Sequence, residues 1–408
     1  MTKCGILTAL GTASLLLVAC GDSERSESAG AGLASDSAGE SDTDGDDAGG
    51  TTGGPDDDAD GGADDSTGEP AGDDGDADAG DDGVPEPTCE QANYSVTLQP
   101  GTPKVMLVLD KSRSMTAMWD HDADPNTPTV SRWNSLYHVV DFLTAQFDAK
   151  VDFGAQLFPS TIAWLDEPTN DFSCAMADTP EVAVASGSGA AILEAIPGPD
   201  DFTISGGTPA VAGIASAADH LMNLGGSDAR AIVLVTDGAA NCSPEELPEE
   251  TLFVYDDSLP SVVETTFADM GIPVYVVGIN ILDQMGTKPA VNAYESLNEV
   301  ALAGGAPASG VDAFYNTFNE LELSAALETV AGQIECTLNL ANPPEHPDLV
   351  TLTTGGVTYH EVADCETEDG WVYTSPGGPY NAVRLCGYAC ETLQGEGGTV
   401  AIDYACPE

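Results

Sequence analysis

Residues Val105-Met106-Leu107-Val108-Leu109 form an unbroken apolar run, and Asp110-Lys111-Ser112-Arg113-Ser114 follows without a spacer. Five consecutive apolar residues bounded by polar ones predict a strand buried on both faces, which implies a parallel sheet covered by helices. The pentapeptide then falls at the strand's carboxyl end, where open α/β sheets bind ligands. Asp, Ser and Ser at alternate positions offer one carboxylate and two hydroxyls. These are hard oxygen donors, suited to magnesium or calcium rather than zinc.

An Asp-x-Ser-x-Ser match alone reads equally well as a polar turn with a helix N-cap, but two later segments agree with it. Ser205-Gly206-Gly207-Thr208-Pro209 is a glycine turn that places a hydroxyl just before the helical stretch 210–224. Ala231-Ile232-Val233-Leu234-Val235-Thr236-Asp237-Gly238 is a second buried strand ending in a carboxylate and a glycine. In these three segments the chain resembles the von Willebrand factor A (vWA) domain family, whose metal-ion-dependent adhesion site combines Asp-x-Ser-x-Ser, a Thr in a Gly-Thr loop and a strand-end Asp. The resemblance implies a metal shell of Asp110, Ser112, Ser114, Thr208 and Asp237. It further implies that the serines and usually the threonine bind the ion directly, while the aspartates act largely through water. Mg²⁺ (or Mn²⁺ or Ca²⁺) held mainly by neutral oxygens and water keeps much of its positive charge, and Mg²⁺ retains waters readily. One coordination position is thereby left for an acidic group of a partner.

The N-terminus has Lys3, the apolar run Gly5 to Ala19, then Cys20. That run is too short to span a bilayer as a helix and reads as a signal-peptide core, residues 1–19. Leu17-Val18-Ala19-Cys20 resembles a bacterial lipobox, in which Cys20 is lipidated and becomes the mature N-terminus. An ordinary signal peptide cut near Ala19 is the plainer alternative. Either reading sends the mature chain out of the cytoplasm, and the lipobox places it in a bacterial cell envelope, held to a membrane by its lipid anchor only.

The anchor leads into a low-complexity acidic linker, and residues 21–88 hold 23 acidic residues against the single base Arg25, about −22 of the formal −59. Low hydrophobicity with high net charge predicts disorder. A solvated tether fits it better than a calcium-binding repeat, which needs a regular period and an apolar residue in each copy. Residues 89–408 are acidic too, at about −38, with Lys111 and Arg113 among only eight bases. Such a balance argues against nucleic acid and anionic lipid surfaces as partners. An acidic ligand remains compatible with it, because salt screens charge beyond ~8 Å and a bound cation inverts the local field. Lys111 and Arg113 are either plain surface charges or ligand-steering ones.

Met115 to Arg132 is a polar insertion. Its Asp120, Asp122 and Asp124 suggest a calcium loop, but Pro125 stands where an EF-hand needs Gly and Ser131 where it needs Glu. It is expected to be a binding-surface loop. Beyond it, apolar residues at helical spacing (Leu136, Val139, Val140, Leu143, Phe147) predict a helix over 133–150. Strands are expected at 151–158, 181–185, 230–236, 273–279 and 314–315. Helices are expected at 190–196 and 210–224 and near 260–270, 291–303 and 319–335, with 161–178 a loop. The expected fold class is α/β, a doubly wound, mostly parallel vWA sheet over 103–335, with a small disulfide-rich β module at the C-terminus, 336–408.

Apart from Cys4 and Cys20, eight cysteines remain, an even number that suggests four disulfides in an exported chain. Cys174 and Cys242 are the two inside the vWA region, and a bridge between them would pin loops at the metal face. Cys89, Cys336, Cys365, Cys386, Cys390 and Cys406 leave fifteen pairings open. Val350-Thr351-Leu352-Thr353, Trp371-Val372-Tyr373 and 399–404 read as short strands. Cys386 and Cys390 have no neighbouring histidine to make a zinc site. No Gly-x-Ser-x-Gly elbow, His-Glu-x-x-His or phosphate loop accompanies the five histidines, and His138 and His220 fall within predicted helices as packing or surface residues.

The sequence therefore predicts no enzyme but a surface-tethered, divalent-metal-dependent adhesion protein that captures a protein or acidic glycan ligand through a carboxylate. The alternative is a structural component of an envelope or surface assembly in which the metal is an internal staple.

Overall fold

The computed structural model describes residues 94–98, 101–163, 170–247, 250–340, 342–395 and 398–405. Cys4, Cys20, Cys89, Cys406 and the acidic linker lie outside the described residues, so the signal, lipidation and tether readings do too. In chain order come β1 (Tyr94–Leu98), β2 (Lys104–Asp110), the short strands β3 (Met118–Trp119) and β4 (Val130–Ser131), α1 (Arg132–Phe147) and β5 (Asp152–Phe158). Then follow α2 (Asn170–Ser173), β6 (Val182–Ala185), α3 (Gly189–Ala195), α4 (Ala210–Met222), β7 (Arg230–Thr236) and α5 (Leu259–Ala268). The chain continues with β8 (Val274–Ile279), α6 (Ala293–Ala303), β9 (Tyr315–Thr317) and α7 (Glu320–Glu335).

Six of these strands form one sheet in the order β6-β5-β2-β7-β8-β9. All pairs are parallel except the edge strand β6, which runs antiparallel to β5. Strand period 2 divides the apolar run of β2 between two cores. Val105, Leu107 and Leu109 face α1, α3 and α7, whereas Met106 and Val108 face α4, α5 and α6. β7 does the same, with Val233 and Val235 on one side and Ile232 and Leu234 on the other. Burial on both faces is why these strands read as continuous apolar runs. The structure is thus a mixed α/β fold around a mostly parallel sheet.

The segment 115–132 departs from the expected polar loop. Met115 and Trp119 are buried in the α1 side of the core, and the Trp119 indole Nε1–H donates to Ser135 Oγ at 3.0 Å. β3 and β4 pair antiparallel around the aspartates. Those acids serve their own loop: Asp122 Oδ1 accepts from Asp124 N and Thr127 Oγ1, and Asp124 Oδ1 from Asn126 N. A buried tryptophan outweighs the polar composition around it, so only 120–129, between β3 and β4, behaves as a loop.

The remaining elements are β10 (Thr337–Asn339), β11 (Val350–Thr354), β12 (Val357–Tyr359), β13 (Gly370–Tyr373), β14 (Ala382–Cys386), α8 (Tyr388–Gln394) and β15 (Val400–Tyr404). They make two antiparallel sheets, β1-β15-β11-β12 and β10-β14-β13, around a third core centred on Trp371. β1 lies before the parallel sheet in sequence, so this region joins chain segments from both sides of it in sequence. Disulfides join Cys174 to Cys242, Cys336 to Cys390 and Cys365 to Cys386.

Candidate metal centre

β2 and β7 are neighbours in the sheet, and both end at its carboxyl edge. Parallel pairing therefore brings Asp110 beside the Thr236-Asp237 end of β7. The Thr236 hydroxyl donates to Asp110 Oδ2 at 2.6 Å, and the Ser112 backbone N–H donates to Asp110 Oδ1 at 2.7 Å. Both oxygens of Asp110 are thus oriented by the protein. Ser112 Oγ lies 2.8 Å from Ser114 Oγ, and the Ser114 hydroxyl donates to Asp237 Oδ1 at 2.6 Å. Four of the five candidate residues, Asp110, Ser112, Ser114 and Asp237, belong to one hydrogen-bonded chain.

Thr208 reaches the same place from the loop before α4. Its backbone N–H donates to Asn241 Oδ1 at 2.6 Å, and it shares the walls of two cavities with Ser114. Gly206 has φ +103°, a conformation that side chains with a Cβ rarely adopt, and its carbonyl accepts from Arg113 N at 3.1 Å. A Cβ on Gly207 would stand 2.5 Å from Cys242 Sγ. The two glycines let the turn press against the loop that follows β2 on one side and the Cys174–Cys242 bridge on the other.

Asp110 and Asp237 are buried, as are Ser112 and Thr208, while Ser114 is exposed. Burial, reinforced by the neighbouring Asp237 charge, pushes the Asp110 carboxyl up to about 7. Burial also raises Asp237, although Arg132 opposes the shift. Two buried carboxylates with mutual repulsion, set among hydroxyl oxygens, make a site that a divalent cation fits by charge and by donor chemistry. Among the described residues no group of three or more His, Cys, Asp or Glu side chains converges, so the donor set here is carboxylate plus hydroxyl.

Arg132 belongs to the site although no sequence motif singles it out. Its Nη1 donates to Asp237 Oδ2 at 2.6 Å, with the carboxylate side chain fully shielded. Arg132 is the first residue of α1, where a cation opposes the helix dipole. A base at that position is the signal that could have found it.

Lys111 corrects the expectation of a surface or steering charge. It is 1 % exposed, and its ammonium donates to the carbonyls of Ala163, Thr203 and Ser205 at 3.3, 3.4 and 3.3 Å. Burial pulls it down to about 8. Its role is to tie the loops after β5 and before α4 to the loop that follows β2. Of the two helical histidines, His138 is exposed on α1, and His220 Nε2 accepts from Val184 N at 3.2 Å.

No family model matches this chain, and no curated protein matches it. Its structural neighbours include vWA domain proteins and pilus adhesins. The pilus adhesin SpaC from Lactobacillus rhamnosus GG superposes with a TM-score of 0.42 at 15% identity, covering 77% of this chain and 41% of that one. The chain therefore spans about two-fifths of that adhesin's length. A von Willebrand factor type A protein from Catenulispora acidiphila gives 0.39 at 12% identity, over 78% of this chain and 62% of the other. The manganese-loaded TRAP protein of Plasmodium vivax gives 0.35 at 14% identity, over 59% and 77%.

Proposed function

We propose that the chain is a surface-tethered adhesion protein that captures an acidic group of a protein or glycan partner through a divalent cation at Asp110, Ser112, Ser114, Thr208 and Asp237. The observation that carries this reading is the hydrogen-bonded convergence of two buried carboxylates and two serine hydroxyls at the carboxyl edge of the sheet, opening on two cavities. A bound Mg²⁺ would supply an electrophile for a carboxylate oxygen. The chain's own groups prepare the place. Thr236 and the Ser112 amide hold Asp110 in one orientation, Ser114 and Arg132 hold Asp237, and Lys111 fixes the surrounding loops. Export, the lipid anchor at Cys20 and the acidic tether enter this reading from the sequence, as does the absence of catalysis.

The test is binding of an aspartate-containing peptide to the full chain with Mg²⁺, with EDTA, and in Asp237→Ala. Capture with Mg²⁺ that disappears in both other conditions is expected. Capture retained with EDTA would contradict the mechanism. A cation that changes only the melting temperature, with no capture in any condition, would favour the structural-staple alternative.

A further inference from the structure

The walls of the two cavities differ sharply from the rest of the molecule. The chain has 69 acidic residues and 10 bases, yet among the described residues lining these cavities the only carboxylate is Asp237, which Arg132 neutralises. The bases lining them are Arg113, Arg132 and Lys288. Lys288 is the base common to both, and with Ser114 and Thr208 it marks where they adjoin. The cavities measure about 250 and about 400 Å³, room for a short stretch of peptide rather than a single carboxylate.

Lys288 is also carried independently of the metal residues. It stands on the loop between β8 and α6, whereas the five site residues come from the ends of β2 and β7 and the start of α4. That loop is closed on itself: Gly286 N donates to Val291 O at 2.8 Å, and Asn292 Nδ2 donates to Asp283 Oδ1 at 2.7 Å. Lys288 is exposed, and its ammonium lies 4.5 Å from the centroid of the Phe253 ring. A cation held over a ring beside apolar walls such as Ile281, Leu282 and Val291 keeps its position without surrendering its charge.

We infer that Lys288 binds a second anionic group of the partner, so that the ligand is an acidic peptide with at least two neighbouring carboxylates, one directed to the cation and one to Lys288. This rests on the metal-site reading above. In a chain whose overall field repels acids, a patch cleared of carboxylates and furnished with bases selects for multiply charged partners over singly charged ones.

The test compares two peptides on the full chain saturated with Mg²⁺, acetyl-Gly-Asp-Gly-Gly-amide and acetyl-Gly-Asp-Asp-Gly-amide, against wild type and Lys288→Gln. The diacidic peptide should bind wild type about threefold to fivefold more tightly, the scale of one exposed ion pair, and the advantage should shrink with added salt. In Lys288→Gln the advantage should fall to the purely statistical gain of offering two carboxylates to one cation, while Mg²⁺ affinity and binding of the monoacidic peptide stay unchanged. An advantage undiminished by the substitution, or an equal loss for both peptides, would overturn the inference while leaving the metal site intact. Binding of neither peptide to wild type would overturn the metal-dependent capture and this inference with it.

Discussion

The carboxyl edge of the parallel sheet and the C-terminal antiparallel sheets bury opposite kinds of side chain. The edge buries Asp110, Lys111, Ser112, Thr208 and Asp237, groups whose desolvation is costly unless each is hydrogen-bonded or paired. The C-terminal sheets bury Trp371, Tyr373, Val383, Leu385 and Ile402, and two disulfides surround them. One region holds polar groups in a fixed geometry at some cost in stability, and the other supplies apolar burial. The contrast predicts that stability and the proposed cation binding can be altered separately in this chain.

Substitutions that delete apolar burial should move stability alone. Trp371→Ala should destabilise by about 3–5 kcal/mol, the usual cost of removing a buried tryptophan, and leave Mg²⁺ affinity of the folded protein unchanged. Denaturant melts and cation titration of the same sample check both halves. A large loss of cation affinity would break the separation.

The disulfides sharpen the comparison. Cys174–Cys242 spans 68 residues of sequence and Cys365–Cys386 spans 21, so chain entropy assigns them about 4 and about 3 kcal/mol respectively. Replacing the first pair by serine should also weaken Mg²⁺ binding, because Cys242 abuts Gly207 in the turn that carries Thr208. Replacing the second should lower stability only. Equal effects on cation affinity would show that the first bridge does not shape the site.

Much of the edge is legible in the amino-acid sequence because its parts are contiguous. An apolar run followed at once by Asp-x-Ser-x-Ser, and another ending in Thr236-Asp237, give strand, direction and donors together. Arg132 is hidden because its partner Asp237 is 105 residues away, and Lys111 because exposure cannot be read from a loop sequence. The C-terminal region is less legible for a related reason. Its apolar patterning marks β11, β13 and β15 but not β10, β12, β14 or α8. β10 and β12 have only three residues each, and β10 finds its partner β14 far along the chain. β1 pairs with β15 although every strand of the parallel sheet lies between them in sequence, and no local pattern announces that. The pairings of Cys336 with Cys390 and Cys365 with Cys386 likewise depend on which strands meet.

A smaller effect concerns pH. Because the Asp110 carboxyl sits at about 7, the metal-free native state holds a proton that the unfolded chain has already released between the ordinary carboxylate range and pH 7. Metal-free stability should therefore fall as pH rises through that window. At the proposed site proton and cation would compete for this carboxylate, so Mg²⁺ affinity should rise as Asp110 loses its proton, by about tenfold from pH 6 to pH 8. A flat profile in cation titrations at those two values would show that the Asp110 carboxyl is already ionised at pH 6.

The smallest effect expected is that of Arg132→Gln. Removing a cation from Asp237 should tighten Mg²⁺ binding by on the order of 1 kcal/mol and lower the melting temperature of the metal-free protein, with Mg²⁺ restoring it. Weaker Mg²⁺ binding in this variant would mean that the guanidinium positions Asp237 rather than offsetting its charge.

The most direct test is a calorimetric titration of Mg²⁺ into the EDTA-stripped full chain, wild type beside Asp110→Ala. Saturable binding at one site in wild type, lost in the variant while the fold is retained, is the predicted result. Absence of binding in wild type, or equal binding in both proteins, would contradict a metal centre at the carboxyl edge of this sheet.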